Sequence, residues 1–269
     1  MKSSVWQLFR TPPLGGPFMR WLGDAKDAAL DLLYPRACAV CGGSRPDSPL
    51  AHLCGTCATK LPRLVPPYCG VCGEWFVGQI DGTFCCANCA DRKFDFDFAF
   101  AAMKSEDSMR ELIHRYKYEK ALWLRVPLGQ LLAEALRGGM AESRLAAEPA
   151  WIAVPVPLHP RRLREREFNQ AAELCRVLTK ITRIPVSEAL ARTRYTTVQA
   201  TLHRQQRLDN LRGAFSLTSR EQRSHSLLGQ AVLLIDDVFT TGATAQECAR
   251  VLKRQAGARR VAILTVARG

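Results

Sequence analysis

One short stretch, residues 232–244, constrains the fold of this chain more than any other. It reads VLLIDDVFTTGAT, and its first four residues are apolar. Such a run predicts a strand that is buried on both faces of a parallel sheet. Asp236 and Asp237 stand where that strand would end, and small residues around Gly242 then open a helical pattern. The stretch therefore predicts a strand, an acidic pair, a tight turn and a helix N-terminus in succession.

The turn and the acidic pair offer two kinds of binding chemistry. Backbone N–H groups and hydroxyls at a helix N-terminus bind phosphate. The residues that would supply them are Thr240, Thr241, Gly242, Ala243 and Thr244. Asp236 and Asp237 would repel a phosphate, so sugar hydroxyls or a metal ion are their natural partners. A capping role and a Walker B strand are the alternatives, but the chain has no GxxxxGK[ST] motif. The combination fits a ribose 5-phosphate.

The stretch resembles the signature of type I phosphoribosyltransferases, which is an apolar strand, two acids, two variable residues and a Thr-Thr-Gly-x-Thr loop. This resemblance implies an α/β fold with a mostly parallel sheet and flanking helices. It also implies that phosphoribosyl pyrophosphate is the ligand, with Mg²⁺ on its pyrophosphate. Asp236 and Asp237 would then be the catalytic pair that fixes the ribose, and residues 240–244 would hold the 5-phosphate.

Cysteine is concentrated in one part of the chain, because nine of the eleven cysteines lie between Cys38 and Cys89. Eight of them form four CxxC pairs, which are Cys38/Cys41, Cys54/Cys57, Cys69/Cys72 and Cys86/Cys89. Repeated CxxC pairs predict two closed, structural zinc sites, with successive pairs sharing a metal. A crossed pairing, or Cys85 in place of Cys86, remains open. Disulfides are the alternative, which the absence of a secretion signal disfavours.

The remaining pattern alternates strands and helices and predicts an α/β domain. Strands are expected at residues 94–100, 151–156, 232–235 and 260–266, and helices at residues 106–118 and 122–136. Alternating Phe with Asp or Ala makes the first of these a half-buried strand. Three regions follow: an N-terminal segment at 1–36, partly flexible with a short helix, a double zinc ribbon at 37–92, and a phosphoribosyltransferase-like domain at 93–269.

Two basic segments follow the predicted strands. The first contains the candidates for pyrophosphate binding, which are His159, Arg161, Arg162, Arg164 and Arg166. Ligands in open α/β sheets bind beyond the carboxyl ends of strands, where this segment begins. The second, residues 192–212, corresponds to the mobile loop of type I phosphoribosyltransferases. Its candidates for loop closure or contact with single-stranded DNA are Arg192, Arg194, Gln199, Arg204 and Arg207.

The order of these motifs, over about residues 30–269, resembles the ComF family of competence-associated, phosphoribosyltransferase-like proteins. The shared features are the double zinc ribbon, RYKYEKA, PVP with an Arg-rich FNQ segment, TRYTTVQ and LLIDDVFTTGAT. The family usually has Gly where this chain has Glu167, and a Glu there would obstruct or repel a phosphate. The resemblance implies DNA uptake in natural competence, with a competence helicase or a recombination-mediator protein as partner.

Charge and hydropathy restrict the classes of function. The formal charge of +13 favours an anionic partner such as single-stranded DNA. It falls to about +9 if eight cysteine thiolates bind two zinc ions. No apolar run predicts membrane insertion or a secretory leader, so a cytoplasmic protein is expected. Two alternatives stay open. The first is an active (amido)phosphoribosyltransferase of nucleotide metabolism, although the sequence shows no obvious motif for recognising a base. The second is a zinc-ribbon adaptor with a vestigial phosphate pocket.

Overall fold

The computed structural model describes residues 37–43, 46–80, 84–137, 144–196 and 211–269. The chain divides between Leu61 and Pro62 into two compact units. The first contains the first cysteine cluster, and the second contains the other cluster and the sheet. The helix predicted within residues 1–36 lies outside the described residues. None of the described helices has the length and apolar content needed to span a bilayer.

The secondary structure alternates as the sequence pattern indicates. The helices are α1 (Gly55–Thr59), α2 (Ala87–Ala90), α3 (Asp107–Tyr118), α4 (Arg125–Leu136), α5 (Pro160–Arg166), α6 (Gln170–Thr182), α7 (Ser219–Ser224) and α8 (Ala243–Arg254), with a 3₁₀ turn at Leu122–Leu124. The strands are β1 (Phe98–Lys104), β2 (Ile152–Pro155), β3 (Leu190–Arg192), β4 (Phe215–Leu217), β5 (Ala231–Phe239) and β6 (Arg260–Arg268).

A four-stranded parallel sheet with the order β1-β6-β5-β2 forms the centre of the second unit. Val232 of β5 pairs with Val261 of β6 on one side and with Ile152 of β2 on the other. β5 is therefore an interior strand, and its residues 231–235 are buried. The predicted α/β fold with a mostly parallel sheet is confirmed. A separate antiparallel pair, β3 and β4, precedes β5 in the chain.

The strand predicted at residues 94–100 begins four residues later than expected, and its predicted half-burial is wrong. β1 begins at Phe98, and its first four residues are all buried. The preceding acidic residues are occupied by tertiary contacts: Asp95 accepts hydrogen bonds from Gln246 and Arg254, and Asp97 pairs with Lys253 at 2.9 Å. These contacts hold the segment against α8, and the alternation of Phe with Asp reflects them instead of a solvated sheet face.

Helix α3 matches its prediction, because Met109, Leu112, Ile113 and Tyr116 are its buried residues. The predicted helix at 122–136 begins as the 3₁₀ turn and continues as α4. α4 packs closely on α6 at Gly129, where an added Cβ would lie 2.5 Å from Val177. A larger residue at this position would push the two helices apart.

The second cysteine cluster packs against the sheet within the second unit. The Ala99 N–H of β1 donates to the Val71 carbonyl at 2.8 Å, and the Leu64 N–H donates to the Ala102 carbonyl at 3.1 Å. Its four cysteines are buried in the same apolar cluster as Phe96. This half of the predicted zinc-ribbon region, residues 62–92, therefore shares a core with the sheet.

Candidate functional site

A cleft of about 460 Å³ opens at the carboxyl ends of β2 and β5. It brings together predicted site residues from three segments of the chain. The first segment supplies Arg162 and Arg166, the second supplies Arg192, and the third supplies Asp236, Asp237 and residues 240–244. This is the position at which open α/β sheets bind ligands. The cleft gathers cationic, anionic and hydroxyl groups in one place, so it suits a ligand with both phosphate and hydroxyl groups.

The Thr-rich turn forms the N-terminus of α8. Gly242 has a φ of 77°, a conformation that few other residues adopt, and it precedes the first helical residue, Ala243. A Cβ on Gly242 would lie 2.7 Å from the ring of Phe239, so the turn also needs the absence of a side chain. The residues at the N-terminus of this helix of twelve residues line the cleft, and the free N–H groups and positive dipole end of a helix suit an anion.

The two carboxylates have different environments. Asp237 is 6% exposed, and its carboxylate pairs with the Lys117 ammonium of α3 at 2.8 Å. Asp236 accepts a hydrogen bond from the Asp237 N–H at 2.9 Å. Burial, followed by repulsion from Asp237, raises the pKa of Asp236 to about 7. Burial alone would lower the pKa of Lys117, but the Asp237 carboxylate outweighs it and raises that pKa. The site thus holds one carboxylate that is paired with an ammonium and one carboxyl group whose pKa is raised to about 7.

Lys117 was not among the predicted site residues. The sequence contained a signal for it, because it lies in the RYKYEKA motif shared with the ComF family. It follows Tyr116, which faces the core and donates its hydroxyl to the Gln170 carbonyl at 2.9 Å. This contact anchors α3 beside the cleft and places Lys117 against Asp237.

The predicted pyrophosphate residues separate into two groups. Arg162 and Arg166 line the cleft, whereas His159, Arg161 and Arg164 do not. The ring Nδ1 of His159 accepts the Arg161 N–H at 3.2 Å and so caps α5, while the Arg161 guanidinium lies 3.4 Å from the Glu165 carboxylate. One helix therefore presents only part of its basic residues to the cleft.

Glu167 terminates α5 in a left-handed conformation, with a φ of 68°. This conformation explains why glycine suits the position. The exposed Glu167 side chain forms an ion pair with Lys120 and does not line the cleft. The Glu167 side chain therefore lies outside the cleft in which phosphate is expected to bind.

The predicted mobile loop is described only at its two ends. Arg192 lines the cleft, donates to the Thr196 hydroxyl and stacks on Phe215, with 5.2 Å between the guanidinium carbon and the ring centroid. Burial, together with repulsion from Arg162, lowers the pKa of Arg192. Arg194 donates to the Arg212 carbonyl at 2.8 Å. The three remaining candidates, Gln199, Arg204 and Arg207, lie outside the described residues.

A smaller pocket of about 280 Å³, here called the side pocket, adjoins the cleft. The two share Lys117, Tyr118, Arg162 and Arg166, and the side pocket adds Lys120, Glu165 and Tyr195. The guanidinium carbon of Arg166 lies 5.1 Å from the ring centroid of Tyr118, and that of Arg161 lies 4.8 Å from the ring centroid of Tyr195. The side pocket is therefore basic and aromatic, and Tyr118 was not recognised from the sequence.

The cysteines form two clusters of four. Cys38, Cys41, Cys54 and Cys57 make one, and Cys69, Cys72, Cys86 and Cys89 make the other, with the sulfur atoms of each cluster within 4.8 Å of one another. Consecutive pairs therefore share a cluster, and the exposed Cys85 stays outside. All eleven cysteines are free thiols.

The donor set of each cluster fits a structural zinc ion. Burial alone would raise the pKa of Cys38, but backbone hydrogen bonds, first from Cys41 and then from Cys54, lower it to about 6. The pKa of Cys69 falls to about 7 for the same reason, with Cys86 as the largest donor. Four neighbouring sulfurs, one of which accepts backbone N–H hydrogen bonds in each cluster, suit a closed, tetrahedral zinc site.

β5 is an interior strand that carries an acidic pair and leads into a Thr-Gly turn, which is the arrangement that the type I phosphoribosyltransferase signature predicts. In the comparison with protein families, residues 29–92 match the model of the double zinc ribbon domain. Competence protein F of Haemophilus influenzae is 30% identical over 204 residues, which cover 75% of this chain and 84% of that protein. The chain belongs to the competence protein F family, as the sequence motifs predicted.

Other relatives and one solved structure are similar over different shares of the chain. The DNA utilization protein YhgH of Escherichia coli is 28% identical over 84% of this chain and 95% of its own, and competence protein ComFC of Bacillus subtilis is 24% identical over 89% and 88%. The allosteric regulatory enzyme of purine biosynthesis matches with a TM-score of 0.31 and 21% identity, over 51% of this chain and 24% of that one. A TM-score of 0.31 is too low to support a conclusion about this chain.

Proposed function

We propose that this protein binds phosphoribosyl pyrophosphate with Mg²⁺ in the cleft and handles single-stranded DNA during DNA uptake. The observation that carries the first part is the convergence of the Thr-Gly turn, the acidic pair and two arginines in one cleft at the carboxyl end of β5. The three parts of the ligand, which are a phosphate, a diol and a pyrophosphate, each need one of these groups.

The 5-phosphate would bind residues 240–244, where helix N–H groups and Thr hydroxyls donate to it. The ribose hydroxyls would donate to Asp236 and Asp237. The pyrophosphate would lie near Arg162 and Arg166, whose guanidinium groups suit paired phosphate oxygens. Mg²⁺, carried by the pyrophosphate and within reach of the acidic pair, would neutralise the negative charge of the ligand.

Lys117 supports this arrangement through Asp237. Its ammonium lies 2.8 Å from that carboxylate and so places a positive charge beside the oxygens proposed to accept the ribose hydroxyls. Asp236 has a pKa raised to about 7, so a bound cation or diol would favour its ionised form near neutral pH. The carboxylate oxygens of Asp236 and Asp237 thus suit a polar ligand that brings a cation with it.

The DNA part of the proposal rests on the family and on charge. The relatives are named for competence and for DNA utilization. The formal charge of +13 is large enough to attract a polyanion even after two zinc sites reduce it. The cleft mouth and side pocket concentrate cationic groups on the described surface. Binding through phosphates would weaken steeply as salt rises, because each neutralised phosphate releases counterion.

We also propose that each cysteine cluster holds one structural zinc ion. Two closed sites with four sulfurs each have no open coordination position, so their contribution is to folding and not to chemistry. Cys85 is exposed and is not required for either site.

Titration calorimetry with phosphoribosyl pyrophosphate and Mg²⁺ tests the ligand. The Asp236→Asn/Asp237→Asn double variant should lose measurable binding while its circular dichroism stays that of the wild type. Glu111→Gln is the control, because Glu111 is exposed on α3 and lies outside the cleft. Unchanged affinity in the double variant would contradict the pocket assignment. A pyrophosphate-release assay on the same protein separates binding from transfer to an acceptor.

A further inference from the structure

The side pocket is a basic surface that carries two exposed tyrosine rings. We propose that it holds bases of an unpaired DNA strand, with Tyr118 and Tyr195 as stacking platforms. This inference rests on the DNA handling proposed above and assigns it a place. Tyr118 is 61% exposed and Tyr195 is 36% exposed, although large aromatic rings are usually buried in a folded domain. Both rings line the same pocket.

Arginines hold both rings in place. The guanidinium carbon of Arg166 lies 5.1 Å from the ring centroid of Tyr118. Arg161 and Arg162 lie 4.8 Å and 5.8 Å from the ring centroid of Tyr195. An arginine over one face of a ring restrains it and places a positive charge beside it. A base that stacks on such a ring would bring its phosphate close to a guanidinium.

The charges of the pocket favour an anionic strand. The Glu165 carboxylate is paired with Arg161 at 3.4 Å, and the nearby Glu167 is paired with Lys120. Within the described ranges, neither Arg162 nor Arg166 has a carboxylate partner. Arg166 donates to the Gln170 side-chain oxygen at 3.1 Å, which orients its guanidinium without neutralising it. Arg166 is therefore an oriented cation, and it and Arg162 would serve either a strand phosphate or the pyrophosphate proposed above.

The side pocket is small and open to a strand. Its volume of about 280 Å³ is close to the lower end of the roughly 300–1,000 Å³ of typical small-molecule sites. A single base with its phosphate is a smaller group, and an exposed ring can stack only on a base that has no partner in a duplex. The pocket also adjoins the cleft through Arg162 and Arg166, so a strand there would approach the proposed nucleotide site.

Fluorescence anisotropy with a labelled oligothymidylate, at low and moderate salt, tests the proposal on the full chain. Tyr195→Ala and Tyr118→Ala should each weaken binding by roughly 5- to 150-fold, the range that alanine substitution of a stacking ring produces. Tyr195→Phe and Tyr118→Phe keep the ring and should bind as the wild type does. A duplex of the same length should bind more weakly than the single strand.

Trp123→Ala is the matched control. Trp123 is 40% exposed and carries Arg115 over its ring at 5.6 Å, but it lines neither the cleft nor the side pocket. It should bind oligothymidylate as the wild type does. Wild-type-like binding by both Tyr→Ala variants, an equal loss in Trp123→Ala, or equal affinity for duplex would each overturn this inference. A wild-type protein that does not bind single-stranded DNA even at low salt would instead overturn the DNA part of the proposed function.

Discussion

Arg268 connects the second cysteine cluster to the end of β5, and we predict that Arg268→Met lowers the free energy of unfolding by about 3–6 kcal/mol. The residue is only 6% exposed. Its Nε donates to the Cys72 carbonyl at 3.2 Å, and its Nη1 donates to the Phe239 carbonyl at 3.2 Å. Hydrogen bonds from a charged donor are worth roughly 1.5–3 kcal/mol each, and methionine makes neither.

One further contact of Arg268 and the volume of the new side chain change this magnitude little. Its ion pair with Glu74 involves a carboxylate that is 31% exposed, so solvent screening leaves that pair a small contribution. Methionine refills part of the space of the arginine stem, which limits any cavity. The expected loss is still large beside a total stability of about 5–15 kcal/mol for a typical domain.

The same substitution should weaken phosphate binding. Arg268 stacks over Phe239, with 5.1 Å between the guanidinium carbon and the ring centroid, and that ring lies directly under Gly242 of the phosphate turn. Loss of the arginine frees the ring to move into the turn. Arg268→Lys keeps one donor and should recover part of both the stability and the affinity.

Urea unfolding followed by circular dichroism measures the stability, and calorimetry with phosphoribosyl pyrophosphate measures the affinity. Zinc content should remain that of the wild type, which separates positioning of the turn from loss of the metal. Arg254→Met is the control, because the Arg254 side chain is 66% exposed and its pair with Asp95 should contribute less than about 1 kcal/mol. A loss below about 1 kcal/mol for Arg268→Met, or a loss equal to that of the control, would refute the reasoning.

Three other outcomes are expected. Cys86→Ser should lower the zinc content by about one ion per chain and lower the unfolding temperature, because its cluster is buried in the core of the sheet unit; an unchanged zinc content by elemental analysis would contradict this. Gly242→Ala should abolish phosphoribosyl pyrophosphate binding in calorimetry, since its φ of 77° and the nearby Phe239 ring both oppose a Cβ; wild-type affinity would be the opposing result. Asp236 has a pKa raised from 3.8 to about 7 on folding, so its protonated form is favoured in the native state, and its contribution to stability is lost as the pH rises from about 4 through 7. Urea unfolding at pH 5 and pH 8 should therefore show a smaller fall for Asp236→Asn than for wild type, and an equal fall would argue against the raised pKa.

The parts of the molecule that were predictable from sequence are those encoded locally. Residues 232–244 carry a buried apolar run, an acidic pair and a glycine turn in one continuous segment, so the strand and the turn are predictable without tertiary information. The CxxC pairs predict the two cysteine clusters in the same way. The spacing of the pairs did not settle which of them share a cluster, because that depends on how the chain folds back; the structure places consecutive pairs together.

The missed features depend on contacts between distant residues. Lys117 becomes a site residue only because α3 lies beside β5 and brings its ammonium to Asp237. The side pocket joins Tyr118 to Tyr195, which belong to separate elements. The alternation of Phe with Asp before β1 imitated a strand because Asp95 and Asp97 are spaced to reach α8. Periodicity cannot distinguish such tertiary ion pairs from a solvated sheet face.

The strand order also has a consequence for how the chain acquires its fold. β1 is the first strand of the sheet in the chain, yet its neighbour in the sheet is β6, and Phe98 pairs with Ala262. Bringing β1 and β6 together closes a long loop of chain, which costs entropy before the contacts between the strands form. Sheets with such long-range pairing therefore fold slowly. During synthesis the backbone N–H and C=O groups on the edge of β1 that faces β6 stay unpaired until β6 is made. The second cysteine cluster, whose backbone already bonds to β1 through Val71 and Leu64, can assemble earlier and shield the opposite edge of this strand from aggregation until the last strand arrives.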